Sequence, residues 1–462
     1  MLQTTPGGRL AEDLARIEEI AARPAGTARE LAANLNELYA ATYELCLDRY
    51  ELDTLLHSAP EIAQAIFAMR LRLRSQIADW HARGFLTRPG ERALRNALRI
   101  ARYVTDMMGE INIRYAQLGP NEKTLRGFSG RSFNTFVNPK FETGEDIDFR
   151  TGDLLLMRGM AHNSAAIARI GDVDSQFSHL AMIYTDANGK HWVVEALIES
   201  GSVINPLSET LHHGLGRCIV FRHRDPELAA RAAAMIYHTI AKSHQKRNGH
   251  IWYDFSMELE GNKELFCSKL VREAFRLGSE NRVTLPTFMT RFDMRNRDFV
   301  DRIGVTARET FAPADIEMEP DFDVVAEWQD YRVTSRLRLQ DLLMDQLFHW
   351  METHDYRFEE DFPVRLIGWM GQMSGQLSTR AKQLIADVVP TVPPNMTRSA
   401  IKAVAMLHRT AEPLLDELQA LERRRIDRTG RPLHPREVYD FLETKRQNSN
   451  GAIGYLATAQ SK

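Results

Sequence analysis

Between Gly152 and Arg222 the chain is a series of short apolar runs separated by turns, and this block constrains the fold more than any other stretch. Gly152-Asp153 is a turn feeding Leu154-Leu155-Leu156-Met157, a continuous apolar run of the kind found in a buried strand. Ser178 to Tyr184 is a second strand. Asp186-Ala187-Asn188-Gly189 is a strong hairpin signal after it, and Lys190 to Ala196 returns as its partner. Gly201 to Ile204 and Arg217 to Arg222 supply two more. Strands joined in sequence by hairpins imply an antiparallel sheet or a small barrel.

Helical periodicity surrounds this block. Residues 8 to about 118 carry helical patterns at Ala28 to Leu56, Pro60 to Ala82 and Arg92 to Leu118, which suggests a helical bundle serving as a structural or docking module. The stretch from Gly119 to Phe149 is rich in Gly, Asn and mixed charge and reads as a loop or linker. After Asp225-Pro226, Glu227 to Ser243 is a helix with proline in its first turn. Residues 280 to 330 look irregular. Helical period returns from Tyr331 to Val388, Pro390 to Pro394 make a rigid break, and Arg398 to Arg425 is a further long helix. Its basic end, Glu422-Arg423-Arg424-Arg425, is a solvated face, and the tail beyond Arg446 is expected to fray. A chain of 462 residues exceeds what one core normally serves. The expected organisation is a helical bundle at 1–118, a linker at 119–145, a sheet-containing domain at 146–330 and a helical region at 331–462.

A formal net charge of −3 implies no global attraction to nucleic acid. The chain contains no run of 18 apolar residues, which argues against a membrane span, and its first residues lack the pattern of a classical secretory signal. The 3 cysteines, Cys46, Cys218 and Cys267, are too few and scattered for a disulfide framework or a zinc site. The expected location is cytoplasmic, or exported without a classical signal. No phosphate-cradling glycine loop and no cluster of histidines and acids with ligand spacing is evident, so neither a cofactor nor a metal is expected.

Chemistry points to Leu265-Phe266-Cys267-Ser268-Lys269-Leu270-Val271-Arg272-Glu273-Ala274-Phe275. Leu270, Val271, Ala274 and Phe275 fall at helical spacing, which places Cys267 in the first turn of an amphipathic helix. There the backbone amides lack intrahelical partners and the helix dipole favours a thiolate. The same amides can hold the oxyanion formed when a thiolate attacks a carbonyl. His179 and Glu195 fall on adjacent strands of one hairpin, where a carboxylate can hold an imidazole in one tautomer while the other nitrogen faces a nucleophile. Cys218, in an apolar strand, reads as core filler, and Cys46 likewise.

The order Gly152-Asp153, Ser178-His179, Val194-Glu195-Ala196, Tyr253-Asp254 and Phe266-Cys267-Ser268-Lys269-Leu270-Val271 resembles the YaeF/YiiX family, the circularly permuted branch of the NlpC-type papain-like fold. The resemblance covers about 146 to 330. It implies an α+β fold, a permuted papain-like domain with an antiparallel sheet flanked by helical regions, in which histidine precedes cysteine. It also implies Cys267 as nucleophile, His179 as general base and acid, Glu195 as the residue orienting His179, and Tyr253, Asp254 and Trp252 near the pocket. The leading expectation is a thiol hydrolase acting on an amide or ester of a peptide or lipid. Acyl transfer by the same triad, or an inactive interaction protein with a protein partner on its helical arms, are the alternatives.

Overall fold

The computed structural model describes residues 6–45, 47–115, 134–141, 147–172, 174–212, 214–361 and 392–458. Cys46 and most of the expected linker lie outside them. Among the described residues, four helices open the chain: α1 (Pro6–Ala22), α2 (Ala28–Tyr43), α3 (Leu52–Ala82) and α4 (Arg88–Tyr115). Thr27 caps α2 by accepting the amide of Glu30. In α3, Leu55, Ala59, Ile62, Ile66, Leu73 and Ile77 are buried at three-, four- and seven-residue intervals and form one apolar stripe. The sequence suggested a break at Pro60, but α3 begins at Leu52 and runs through it.

The sheet-containing region follows: β1 (Thr135–Val137), β2 (Leu154–Gly159), α5 (His162–Ile167), β3 (His179–Thr185), β4 (His191–Leu197), β5 (Gly201–Pro206), α6 (Leu207–His212) and β6 (Leu215–His223). Next come α7 (Pro226–His244), α8 (Cys267–Gly278), β7 (Thr290–Arg291), α9 (Asp298–Ile303), β8 (Glu309–Thr310) and β9 (Phe322–Gln329). The chain ends with α10 (Thr334–His354), β10 (Arg357–Phe358), α11 (Arg398–Thr429), α12 (Pro435–Gln447), β11 (Ala452–Ile453) and β12 (Leu456–Ala457).

A seven-stranded antiparallel sheet in the order β1-β9-β6-β2-β3-β4-β5 is the centre of the molecule. The alternation of a pleated strand divides its side chains between two cores. Leu154, Leu156, Leu180 and Met182 face the large core with α7 and α8, whereas Leu155, Met157, Ala181, Ile183 and Val193 face a smaller cluster closed by Leu207 of α6. Cys218 belongs to the smaller cluster and is buried, as expected of core filler. Gly152 takes φ +93°, and a Cβ there would meet the backbone of Ala229 in α7 at 2.6 Å, so the turn into β2 needs glycine.

Three readings are corrected. The segment read as a loop up to Phe149 supplies β1, whose register on β9 pairs Phe136 with Glu327. The stretch read as irregular, 280–330, contains β9, a central partner of β6. Neither strand shows clean alternation because both its faces are covered: Val324, Val325 and Ala326 are all buried. Within the described residues, which end at 458, the tail beyond Arg446 is ordered, with β11 and β12 joining β10 in a small sheet.

The helical arms are built into the same core. One hydrophobic cluster runs from Leu10 in α1 to Leu456 in β12. Buried ion pairs fix its seams. Arg70 of α3 and Arg102 of α4 both bind Glu327 of β9, Arg217 of β6 binds Asp106 of α4 at 2.6 Å, and Arg158 of β2 binds Asp341 of α10 at 2.9 Å. Arg338 of α10 reaches Glu110 of α4 and Glu422 of α11, each at 2.9 Å. Glu422, expected on a solvated face, is 2% exposed because Arg338 draws it inward. Among the described residues no helix is long and apolar enough to cross a membrane.

Candidate active site

Residue parity and register bring His179 and Glu195 together. Met182 lies opposite Val194, so one further step sets Ala181 opposite Glu195, with His179 its diagonal neighbour on the same face. Nε2 of His179 lies 2.7 Å from Oε2 of Glu195. The other carboxylate oxygen, Oε1, accepts from Nδ2 of Asn205 at 2.9 Å and from the hydroxyl of Thr210 at 3.4 Å. Glu195 is buried, and these partners satisfy a charge that would otherwise be costly. Asn205 and Thr210 were not singled out from the sequence. Asn205 could have been: β5 pairs it with Val193, again a diagonal neighbour of Glu195 on one face.

Cys267 is the first residue of α8, with Phe266 extended at the N-cap (φ −97°, ψ 169°). The amide of Leu270 is the first to bond back, to the carbonyl of Phe266 at 2.9 Å, so the amides of Cys267, Ser268 and Lys269 precede the helix ladder. Packing of Leu270 and Ala274 into the core with Leu180 and Met182 sets α8 against the sheet face opposite Ala181. His179 begins β3, and at that strand end the head of α8 meets its ring.

The thiol of Cys267 lies 3.8 Å from the Ser268 hydroxyl, and the His179 ring and the Leu180 amide act on it electrostatically. Since Nε2 of His179 is turned to Glu195, Nδ1 is the nitrogen left for the sulfur. Burial alone would push the Cys267 thiol up, but the hydrogen bond and charge of His179, with the Leu180 amide, hold it below the ordinary cysteine value. Burial would likewise lower the His179 ring, yet its bonds to Cys267 and Glu195 raise it to about 10. Glu195, which burial alone would raise, is held below the usual carboxylate range by His179, Asn205 and Thr210. Each partner thus favours the charged form of the other.

Cys267 lies at a narrow cavity of about 30 Å³ lined by Phe177, Phe266, Phe311 and Tyr253. Tyr253 also lines a cavity of about 730 Å³ that His179 and Glu195 face. Its far walls include Met160 and Ile167, Leu215 of β6, and Val404, Leu407 and His408 of α11, so the C-terminal helical region completes the cleft. Two expected pocket residues stand elsewhere. Asp254 is buried in an ion pair with Lys269 at 2.6 Å, which ties the loop to α8, and it accepts the Ser256 amide within the loop. Trp252 packs on His250, with ring centres 4.3 Å apart, and lines a separate surface cleft with His244. Adjacent residues in an extended loop point to opposite sides, so Tyr253 turns toward the sulfur while its neighbours turn away.

Sequence reading found no ligand set for a metal, but the fold gathers His162, His408 and Glu412, with one donor atom of each within 4.8 Å of the others.

Residues 148–326 match the model of the permuted papain-like amidase enzyme family, YaeF/YiiX, C92. Among solved structures the chain is similar to the metalloprotein yiiX from Escherichia coli O157:H7, with 20% identity, 38% of this chain and 96% of that chain covered, and a TM-score of 0.29. No curated protein matches. The sheet domain is a permuted papain-like fold, and it is an enzyme domain of the cysteine amidase type.

Proposed function

We propose that this permuted papain-like amidase domain cleaves a peptide-type amide through a covalent acyl-enzyme on Cys267. The observation that carries the reading is Nε2 of His179 fixed 2.7 Å from Glu195, which leaves Nδ1 for Cys267 at the head of α8. The thiolate sulfur attacks the carbonyl carbon, and the amides at the head of α8 receive the oxyanion. As the tetrahedral intermediate collapses, the carbon–nitrogen bond breaks and His179 gives its proton to the leaving amine. His179 then takes a proton from water, the hydroxide attacks the thioester, and the free acid leaves as the thiolate is restored. Glu195 holds the ring in one orientation and balances its charge throughout. The apolar walls of the larger cavity suit an apolar side chain or acyl group on the carbonyl side of the scissile bond.

Intact-mass spectrometry of enzyme quenched during turnover tests the acyl-enzyme directly: an adduct on wild type and none on Cys267→Ala is expected. An adduct of equal yield on both would overturn the assignment.

The ion pair also sets a pH profile. Activity requires a thiolate and a protonated ring, so kcat/KM rises below the ordinary thiol value and falls as the pair loses its second proton near pH 10. Removing the Glu195 charge takes away a partner that raises the His179 value, so Glu195→Gln moves the alkaline limb to lower pH by about one to three units. A limb that stays in place in Glu195→Gln means that Glu195 does not tune His179.

A further inference from the structure

We propose that His162, His408 and Glu412 bind one divalent transition-metal ion, with zinc the best match to the donor set, and that this ion clamps α11 to α5 at the wall of the large cavity.

His408 and Glu412 are four residues apart on α11 and so share one face of the helix. His162 comes from α5, and its Nε2 contacts Oε2 of Glu412. The rings of His162 and His408 meet edge-on with centres 5.2 Å apart. Two imidazoles and a carboxylate with donor atoms all within 4.8 Å are a set that small side-chain rotations bring to the roughly 2 Å bonds of zinc. Three protein ligands leave a fourth position open, and His162 and His408 both line the cavity, where water or an oxygen of a bound substrate can take it.

His162 is 5% exposed. Its Nδ1 is buried and has no hydrogen-bond partner among the described residues. The Nη2 of Arg336 lies 3.4 Å from both carboxylate oxygens of Glu412. Two of the three ligands stand in α11, beyond the family match at 148–326, so the site belongs to the C-terminal extension of this chain. It shares no ligand with the Cys267–His179–Glu195 constellation.

The test uses the full-length chain without a histidine tag, stripped with chelator and dialysed against Zn²⁺, with metal content measured by mass spectrometry and Co²⁺ substitution followed by visible absorption. Wild type and Cys267→Ala are expected to retain about one equivalent, with a tetrahedral Co²⁺ spectrum lacking a thiolate charge-transfer band. His408→Ala and Glu412→Gln should lose more than the roughly 10- to 100-fold in affinity that an outer-shell change costs. Zn²⁺ should also raise the unfolding midpoint of wild type and leave that of His408→Ala unmoved. Equal midpoints of the two proteins in chelator show that the variant folds. Wild-type metal content no greater than that of either ligand variant would overturn the proposal, as would metal that is lost in Cys267→Ala.

Discussion

Cys267→Ala lowers kcat/KM by at least about 10⁴-fold, the scale on which loss of a nucleophile from a triad registers. The substitution removes one sulfur from a buried residue and leaves Phe266, Leu270 and the helix head as they are. It also removes the thiol whose ionisation His179 favours, so the folded state loses that interaction but also any buried charge on the sulfur. The expected change in stability is therefore small, within about 2 kcal/mol. The measurement is paired: steady-state kinetics on an amide substrate and an unfolding curve on the same preparation. Activity within tenfold of wild type in a folded Cys267→Ala protein would mean that another group performs the attack. A collapse of activity with an unchanged unfolding curve places the defect in the chemistry.

Arg338→Leu is expected to be among the most damaging single changes to stability, costing about 3–5 kcal/mol. Arg338 is fully buried and reaches Glu110 of α4 and Glu422 of α11 from α10, so its removal leaves two carboxylates facing each other without a counter-charge. Burial already raises Glu110 above the ordinary glutamate value, with Arg338 opposing the rise and Glu422 adding to it. Without Arg338, Glu110 would hold its proton to higher pH in the folded chain than in the unfolded one. The folded state then binds more protons, and stability falls as pH rises through that interval. Chemical denaturation at pH 5 and pH 8 reads this out: the deficit of Arg338→Leu should be larger at pH 8. Replacing Glu110 and Glu422 by leucine as well should recover much of the loss, because apolar side chains need no partner. A single variant as stable as wild type at pH 8 would show that the three groups do not act as an ion cluster.

The same seam carries function. α11, held by Arg338 through Glu422, supplies Val404, Leu407 and His408 to the cavity that His179 and Glu195 face. The sequence offered the helical arms as possible docking modules, yet α3 and α4 are joined to the sheet through Arg70, Arg102 and Asp106. Reaching those pairings from sequence was not feasible. Arginine and glutamate on a helix read as solvated wherever they stand, and only burial against a second element distinguishes Arg338 or Glu422 from a surface charge.

Elements whose pattern is local were open to inspection. The hairpin from His179 to Leu197 is two apolar runs joined by a tight turn, and the head of α8 has apolar residues at helical spacing just after a cysteine. Those two local patterns name His179, Glu195 and Cys267 without any long-range information. Where local pattern was ambiguous the reading failed. β9 breaks its alternation with Val324-Val325-Ala326 in a row and buries Glu327 and Gln329, which read as solvated, and β1 has only three residues. The 252–254 loop has no periodicity from which to tell that Tyr253 faces the sulfur while Asp254 pairs with Lys269.

What the amino-acid order determined by itself was which segments are strands and helices and which side chains can do chemistry, because those depend on spacing of a few residues along one chain. Tertiary structure alone decided that the head of α8 comes to the end of β3 where His179 stands, that distant arginines and acids neutralise one another, and that α11 lines the cleft. Each of these joins groups tens to hundreds of residues apart, and their energies exist only once water has been excluded between them.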